Sequence, residues 1–189
     1  MEARERVYNI KGDLEGEEHI VLNLSPDRDS RVRVALVSAE ENGRNIASHI
    51  RAEVEGGSAL GPSPFRPTEG QHVEAWRNGE TRIIDGRVCV GFAFSFETGE
   101  YSLEGVAWLD KEYGLPLEAH AEVVSVPFME EGVRITAYTE VQEYTLTETG
   151  DCLLERTRID MGIAVPGFEG QVRTFNLARK HWRYTPDSH

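Results

Sequence analysis

The chain has 189 residues and a mass of 21.2 kDa, enough for one domain and for two only if both are small. Hydrophobic residues at 39%, charged residues at 28% and a mean hydropathy of -0.44 exclude a disordered chain and a helical membrane protein. With 33 acidic against 20 basic residues the net charge is -13, which repels phosphate backbones and anionic lipid and argues against a nucleic-acid partner.

The chain opens Met1-Glu2-Ala3-Arg4-Glu5-Arg6 with no apolar stretch behind it. Two readings follow: a chain without a secretory signal, or one from which a signal has been trimmed. No repeat is visible, and alternation with a period of two dominates, the mark of strands with two unlike faces. Arg6–Ile10 reads extended. Ile20, Leu22 and Leu24 share one side of a strand, residues 25–30 turn, and Val32, Val34 and Leu36 share a face of the next.

The period then changes. Ile46, Ile50 and Val54 recur every four residues, predicting one amphipathic helix over Gly43–Glu55. Gly56-Gly57 ends it. The Pro-rich stretch to Pro67 is expected to be an internal loop crossing the sheet rather than a boundary, so residues 1–189 form a single domain.

From His72 the strands come quickly. Asp85-Gly86 marks a tight hairpin. In Arg87–Phe96, Val88, Val90, Phe92, Phe94 and Phe96 share one face, and Cys89, Gly91, Ala93 and Ser95 the other. Neither face is charged, so this strand is expected to be central, with the helix packed on its small face. The stretch Val88 to Phe96 is also the longest mostly apolar one, far short of the roughly 20 residues of a membrane helix. Leu117, Ala119, Ala121 and Val123 alternate with Glu118, His120 and Glu122. Val133, Ile135, Ala137 and Val141 alternate with Arg134, Thr136, Tyr138 and Gln142, which predicts an apolar inner face and a wet outer one. Cys152–Met161 and Gln171–Ala178 supply the last strands, about nine or ten in all, and so wide a sheet must twist and curl.

Chemical motifs are sparse. No GxSxG, GxGxxG or P-loop occurs, and the histidines lack metal-ligand spacing, so neither a metal nor a cofactor is expected. Glu118-x-His120-x-Glu122 aligns three titratable groups on one strand face, read as a metal or catalytic centre or, more simply, as a solvated face. Cys89 and Cys152 are a candidate disulfide of an oxidising compartment or two small buried hydrophobes. Arg179-Lys180-His181-Trp182-Arg183 is a basic, aromatic cluster, either a contact for an anionic group or a cap on the sheet. The Phe92, Phe94 and Phe96 row either fills a core or lines an apolar pocket.

The stretch Gly105 to Val123, GVAWLDKEYGLPLEAHAEV, resembles a strand–turn–strand of the LolA/LolB-like superfamily of periplasmic lipoprotein-binding proteins. That pattern is an apolar strand ending in Leu-Asp, a turn with Thr or Tyr and then Gly, and Leu-Pro-Leu opening the next strand. The resemblance covers about Gly86 to Tyr144. It implies an incomplete β-barrel whose apolar concave face is covered by helices and holds acyl chains, in a non-catalytic protein of the bacterial envelope with its signal trimmed. The family's N-terminal helix is not evident here, and its carrier-specific residues have no match.

The expectation is therefore a mainly β (α+β) protein: one large curled antiparallel sheet forming an incomplete barrel, with one or two helices over its concave face. Its function is expected to be binding of a lipid, acyl chain or other apolar ligand, with an envelope protein as a possible partner and without catalysis or a transmembrane segment. Phe92, Phe94, Leu109, Leu117, Ala119, Val133 and Ile135 are the candidate lining residues. The expected location is the periplasm or the envelope, with the cytoplasm as alternative. The alternative functions are a structural or interaction module with a packed interior and no ligand, and an enzyme centred on His120.

Overall fold

The computed structural model describes residues 1–26, 32–56, 65, 70–97, 102–125, 134–146, 152–165 and 168–177. Among these the regular elements are, in chain order, β1 (Glu2–Asn9), β2 (Leu14–Pro26), β3 (Val32–Glu41), β4 (Arg44–Asn45), α1 (Ala47–Gly56), β5 (His72–Ile84), β6 (Arg87–Glu97), β7 (Ser102–Asp110), β8 (Pro116–Ser125), β9 (Arg134–Leu146), β10 (Cys152–Val165) and β11 (Phe168–Leu177). They form one antiparallel sheet in the order β4-β3-β2-β1-β11-β10-β9-β8-β7-β6-β5.

The first strand pairs with the last. The chain thus begins mid-sheet, builds outward to β4, crosses to the far edge at β5, and fills back towards its starting point. Most of the Pro-rich stretch expected to be a loop lies outside the described residues, and strands from both sides of it enter the same sheet. β4 and β5 are its two edges and do not pair, which leaves the sheet open rather than closed into a barrel.

Local chemistry sets the reversals. Asn42-Gly43 and Asp85-Gly86 both have positive φ at each residue, as a two-residue hairpin whose twist matches its strands requires. The first of these turns corrects the helix boundary. Arg44 and Asn45 belong to a short strand against Glu41 and Glu40, and the helix begins only at Ala47. Asn45 Oδ1 accepts the Ala47 amide at 3.0 Å, satisfying one of the donors that a first helical turn leaves open.

One register row fixes which side chains share a face. It runs Phe92, Ala107, Ala119, Gln142, Thr157, Asn176, Ala3, Ile20, Ala39 across nine strands. Residues directly opposite in a ladder project to the same side, so these positions define one face, here called inner. At one end of it, Ile46, Ala47, Ile50 and Val54 of the helical segment pack on Leu22, Val34, Leu36 and fully buried Ala39. Each fully buried aliphatic side chain contributes roughly 1.5–3 kcal/mol. At the other end, Phe94, Phe96, Leu103, Ala107, Ala119 and Ala121 form a second cluster.

The helix therefore sits on β3, not on the small face of β6 as expected, and β6 lies next to the edge strand rather than at the sheet centre. The reason is connectivity: a short helix one residue beyond β4 reaches only the strands beside it. It also covers an edge. Beyond its brief pairing with β4, β3 has no further strand partner on that side among the described residues, and Arg51 Nη1 donates to Leu36 O at 3.1 Å while Glu55 Oε1 accepts Leu36 N at 3.1 Å. Two helix side chains thus stand in for a missing strand. Of the small face of β6, Cys89 is covered by the sheet's own residues, clustered with Trp108 and Leu117 against Ile84 and Val106.

Candidate functional site

On β7 and β8 the inner face is built from small residues. Gly105, Ala107, Ala119 and Ala121 leave a shallow floor, and a Cβ on Gly105 would lie 2.0 Å from His120 O and 2.9 Å from Phe94 Cζ. The Phe94 ring occupies the space that a side chain at its register partner Gly105 would fill. Phe96, fully buried, and Leu103 complete the apolar wall.

The next strand changes character. Tyr138, Glu140, Gln142 and Tyr144 are spaced two apart, so all four project from the same face of β9. Tyr138 Oη donates to Glu140 Oε2 at 2.9 Å, and Gln142 Nε2 donates to Glu140 Oε1 at 2.7 Å. Tyr144 Oη in turn donates to Gln142 Oε1. Glu140 and Gln142 are only 7% and 5% exposed. Burial pushes the Glu140 carboxyl above the usual carboxylate range, while its bonds from Gln142 and Tyr138 pull the other way. Among the described residues no cation pairs with it.

Phe94, Phe96, Leu103, Ala119, Ala121, Glu140 and Gln142 line a small inner-face pocket of about 10 Å³. Phe65, brought in from the crossing segment, packs on the same apolar cluster and meets Tyr144 edge to face, with ring centroids 5.3 Å apart. The pocket is thus an apolar wall with a polar strand at its side, and the Phe65 ring packs on the same cluster. Its volume is about that of one water probe, against roughly 300–1,000 Å³ for a typical ligand site.

Phe94 and Ala119 line this pocket, and Leu109 packs against its apolar cluster. Phe92 is half-buried on the same face. Leu117 is buried in the Cys89–Trp108 cluster. Ile135 pairs with Ile163 and stands outside the pocket lining. Val133 lies outside the described residues, as does the Arg179–Arg183 cluster. Of the polar members, Gln142 was expected on the wet side, and Glu140, two residues before it, follows the same alternation. Between Ile135 and Ala137 the β9–β10 register slips, so Thr136 is a bulge residue and the alternation inverts from there on. Ala137 is exposed while Glu140 and Gln142 are buried, the reverse of the pattern expected from the apolar residues.

The opposite face is charged. Glu118 accepts from both Arg82 and His120, and the Arg82 guanidinium lies 4.9 Å over the Trp108 ring. Among the described residues no group of three His, Cys, Asp or Glu is placed to hold a metal. A wide, open groove of about 1480 Å³ runs along β9, β10, β11 and β1, with Arg4, Arg6, Lys11, Arg134 and Arg158 in its lining. Arg4 and Arg158 are partly neutralised there by Glu2 at 2.9 Å and Asp160 at 3.5 Å.

The Cys89–Cys152 disulfide is not formed. Both are free thiols, Cys89 against Arg87 O at 3.6 Å and Cys152 against Pro116 O at 3.2 Å. They belong to β6 and β10, with three strands between. Burial raises the Cys89 thiol above its ordinary pKa.

Among the described residues no helix is long and apolar enough to cross a membrane. Compared with known proteins, the chain matches no family model, no curated sequence and no solved structure.

Proposed function

We propose that this chain is a non-catalytic binding protein that takes an acyl chain or another apolar ligand on the inner face of its open sheet, in the place Phe65 now occupies. The observation that carries this reading is Phe65 itself. A half-buried ring from outside the strands rests on the inner-face cluster of Phe94, Phe96, Leu103, Ala107, Ala119 and Ala121. A ring held from outside the sheet can leave without unpairing a strand. Full burial of such a ring is worth roughly 1.5–3 kcal/mol and this half-buried one less, so about two to four buried methylenes at roughly 0.8 kcal/mol each suffice to offset it. Longer chains gain beyond that.

The likeness of residues 105–123 to the LolA/LolB-like pattern supports the same function. It favours a location in the bacterial envelope after removal of a signal, with an envelope protein as partner. The test is a titration of the purified chain with the neutral fluorescent probe 1-N-phenylnaphthylamine, competed by 1-dodecanol. Saturable, competable binding is expected, and a weak, unsaturable signal would discard the reading.

A second reading is favoured by the pocket volume of about 10 Å³: a structural or interaction module whose interior stays packed. It expects no probe binding even after Phe65 is shortened to Ala.

A further inference from the structure

We propose that Glu140 and Gln142 form a head-group subsite, one that selects an apolar chain ending in a hydrogen-bond donor, such as an alcohol or an amide, over one ending in a carboxylate. This rests on the reading of the inner-face pocket as an apolar-ligand site. Each Glu140 oxygen accepts one bond, from Tyr138 or from Gln142, and a carboxylate oxygen has room for two. Among the described residues the carboxyl therefore lines the pocket with acceptor capacity unused, against a wall of Phe94, Phe96, Leu103, Ala119 and Ala121 that offers no side-chain donor. Buried polar groups in apolar surroundings are costly unless matched, and a ligand donor supplies the match.

The neighbouring strands bring no competing charge. Glu140 pairs in register with Ala121 on β8 and Ile159 on β10, and buried Thr157 is the next inner-face residue along β10. Further along the same register row stand Glu5, Glu18 and Glu41, all acids. Arg77 is in the row of Phe92 and Gln142 but on the edge strand β5, four strands from β9. An incoming carboxylate thus meets a buried acid with no cation beside it among the described residues, whereas a hydroxyl or amide N–H meets a ready acceptor.

The experiment compares three twelve-carbon competitors of 1-N-phenylnaphthylamine on the full chain at about pH 8.5: 1-dodecanol, its methyl ether and dodecanoate. The ether is more apolar than the alcohol and lacks only the donor, so burial alone favours it. The subsite predicts that the alcohol competes about tenfold better than the ether, the range of a hydrogen bond to a charged group, and that dodecanoate is weakest. In Glu140→Gln the alcohol's advantage falls at least about threefold. An ether that competes as well as the alcohol on the wild-type chain overturns the subsite while leaving the pocket intact. So does an unchanged ratio in Glu140→Gln. Absence of saturable probe binding overturns both.

Discussion

The Gln142 side-chain amide donates to the Glu140 carboxylate at 2.7 Å along a single strand, with both side chains buried on the inner face of the sheet. Nothing cationic among the described residues offsets that carboxylate. Its carboxyl is held above the usual range by burial first, so the folded chain keeps the Glu140 proton more tightly than the unfolded chain does. Raising the pH from the ordinary glutamate range, about 4.3, towards the folded value therefore withdraws stability. Glu140→Gln has no proton to lose. Its denaturant midpoint is expected to gain on the wild type between about pH 4 and about pH 8.5, and a gap that does not change with pH would contradict the buried-charge account.

Asp110 has the opposite sign. Its Oδ1 accepts the Glu112 and Tyr113 amides, both at 2.8 Å, and its Oδ2 accepts from Arg87 Nη1 at 3.1 Å. The Tyr113 amide bond, chief among these, lowers its pKa against the desolvation that would raise it. Its contribution is present above the unfolded aspartate pKa of about 3.9 and is lost as pH falls through the lower folded value. Asp110→Asn is expected to melt below the wild type at about pH 7, with the two melting points converging under strong acid. Equal melting points at neutral pH would deny Asp110 its role in the β7–β8 turn.

Gly105→Ala tests the packing of the wall. The added methyl would meet the His120 backbone carbonyl at 2.0 Å, and strand backbone cannot yield as a side chain can. A loss of more than about 2 kcal/mol in chemical denaturation is expected from overpacking of this kind. A loss below about 0.5 kcal/mol would show that β7 and β8 do not approach as described.

The two thiols are expected to differ in rate. Cys89 is fully buried with a raised pKa, and Cys152 is half-buried. Under native conditions a thiol reagent should label Cys152 first, with Cys89 reacting only on unfolding. Equal rates, or two unreactive sulfurs restored by reductant, would contradict the free-thiol structure.

Much of the fold is legible in the residues. The Asp85-Gly86 turn, the shared face of Phe94 and Phe96, and the shared face of Ala119 and Ala121 all have local causes, and each is found, whereas Leu117, at a register shift, joins Cys89 and Trp108 instead. What sequence alone does not show is non-local. Pairing of β1 with β11 depends on contacts across the whole chain. The helix position follows from which strands lie within reach of β4, and no period reveals that. The site was hidden by one residue: the Thr136 bulge inverts β9, so apolar Ala137 faces outward and Glu140 inward. A signal was present in the spacing of Tyr138, Glu140, Gln142 and Tyr144, four hydrogen-bonding side chains two apart. An unbroken alternation, however, assigns them to solvent. Phe65 stood in a Pro-rich stretch with no period at all.

The central claim is that the Phe65 ring gives way to a ligand. 4-Fluorophenylalanine placed at position 65 reports this directly by fluorine NMR during titration with 1-N-phenylnaphthylamine. The account predicts that the resonance moves towards its solvent-exposed position in proportion to the bound fraction. A saturated chain whose position-65 resonance has not moved would show that the ring is a fixed part of the core and that any binding happens elsewhere.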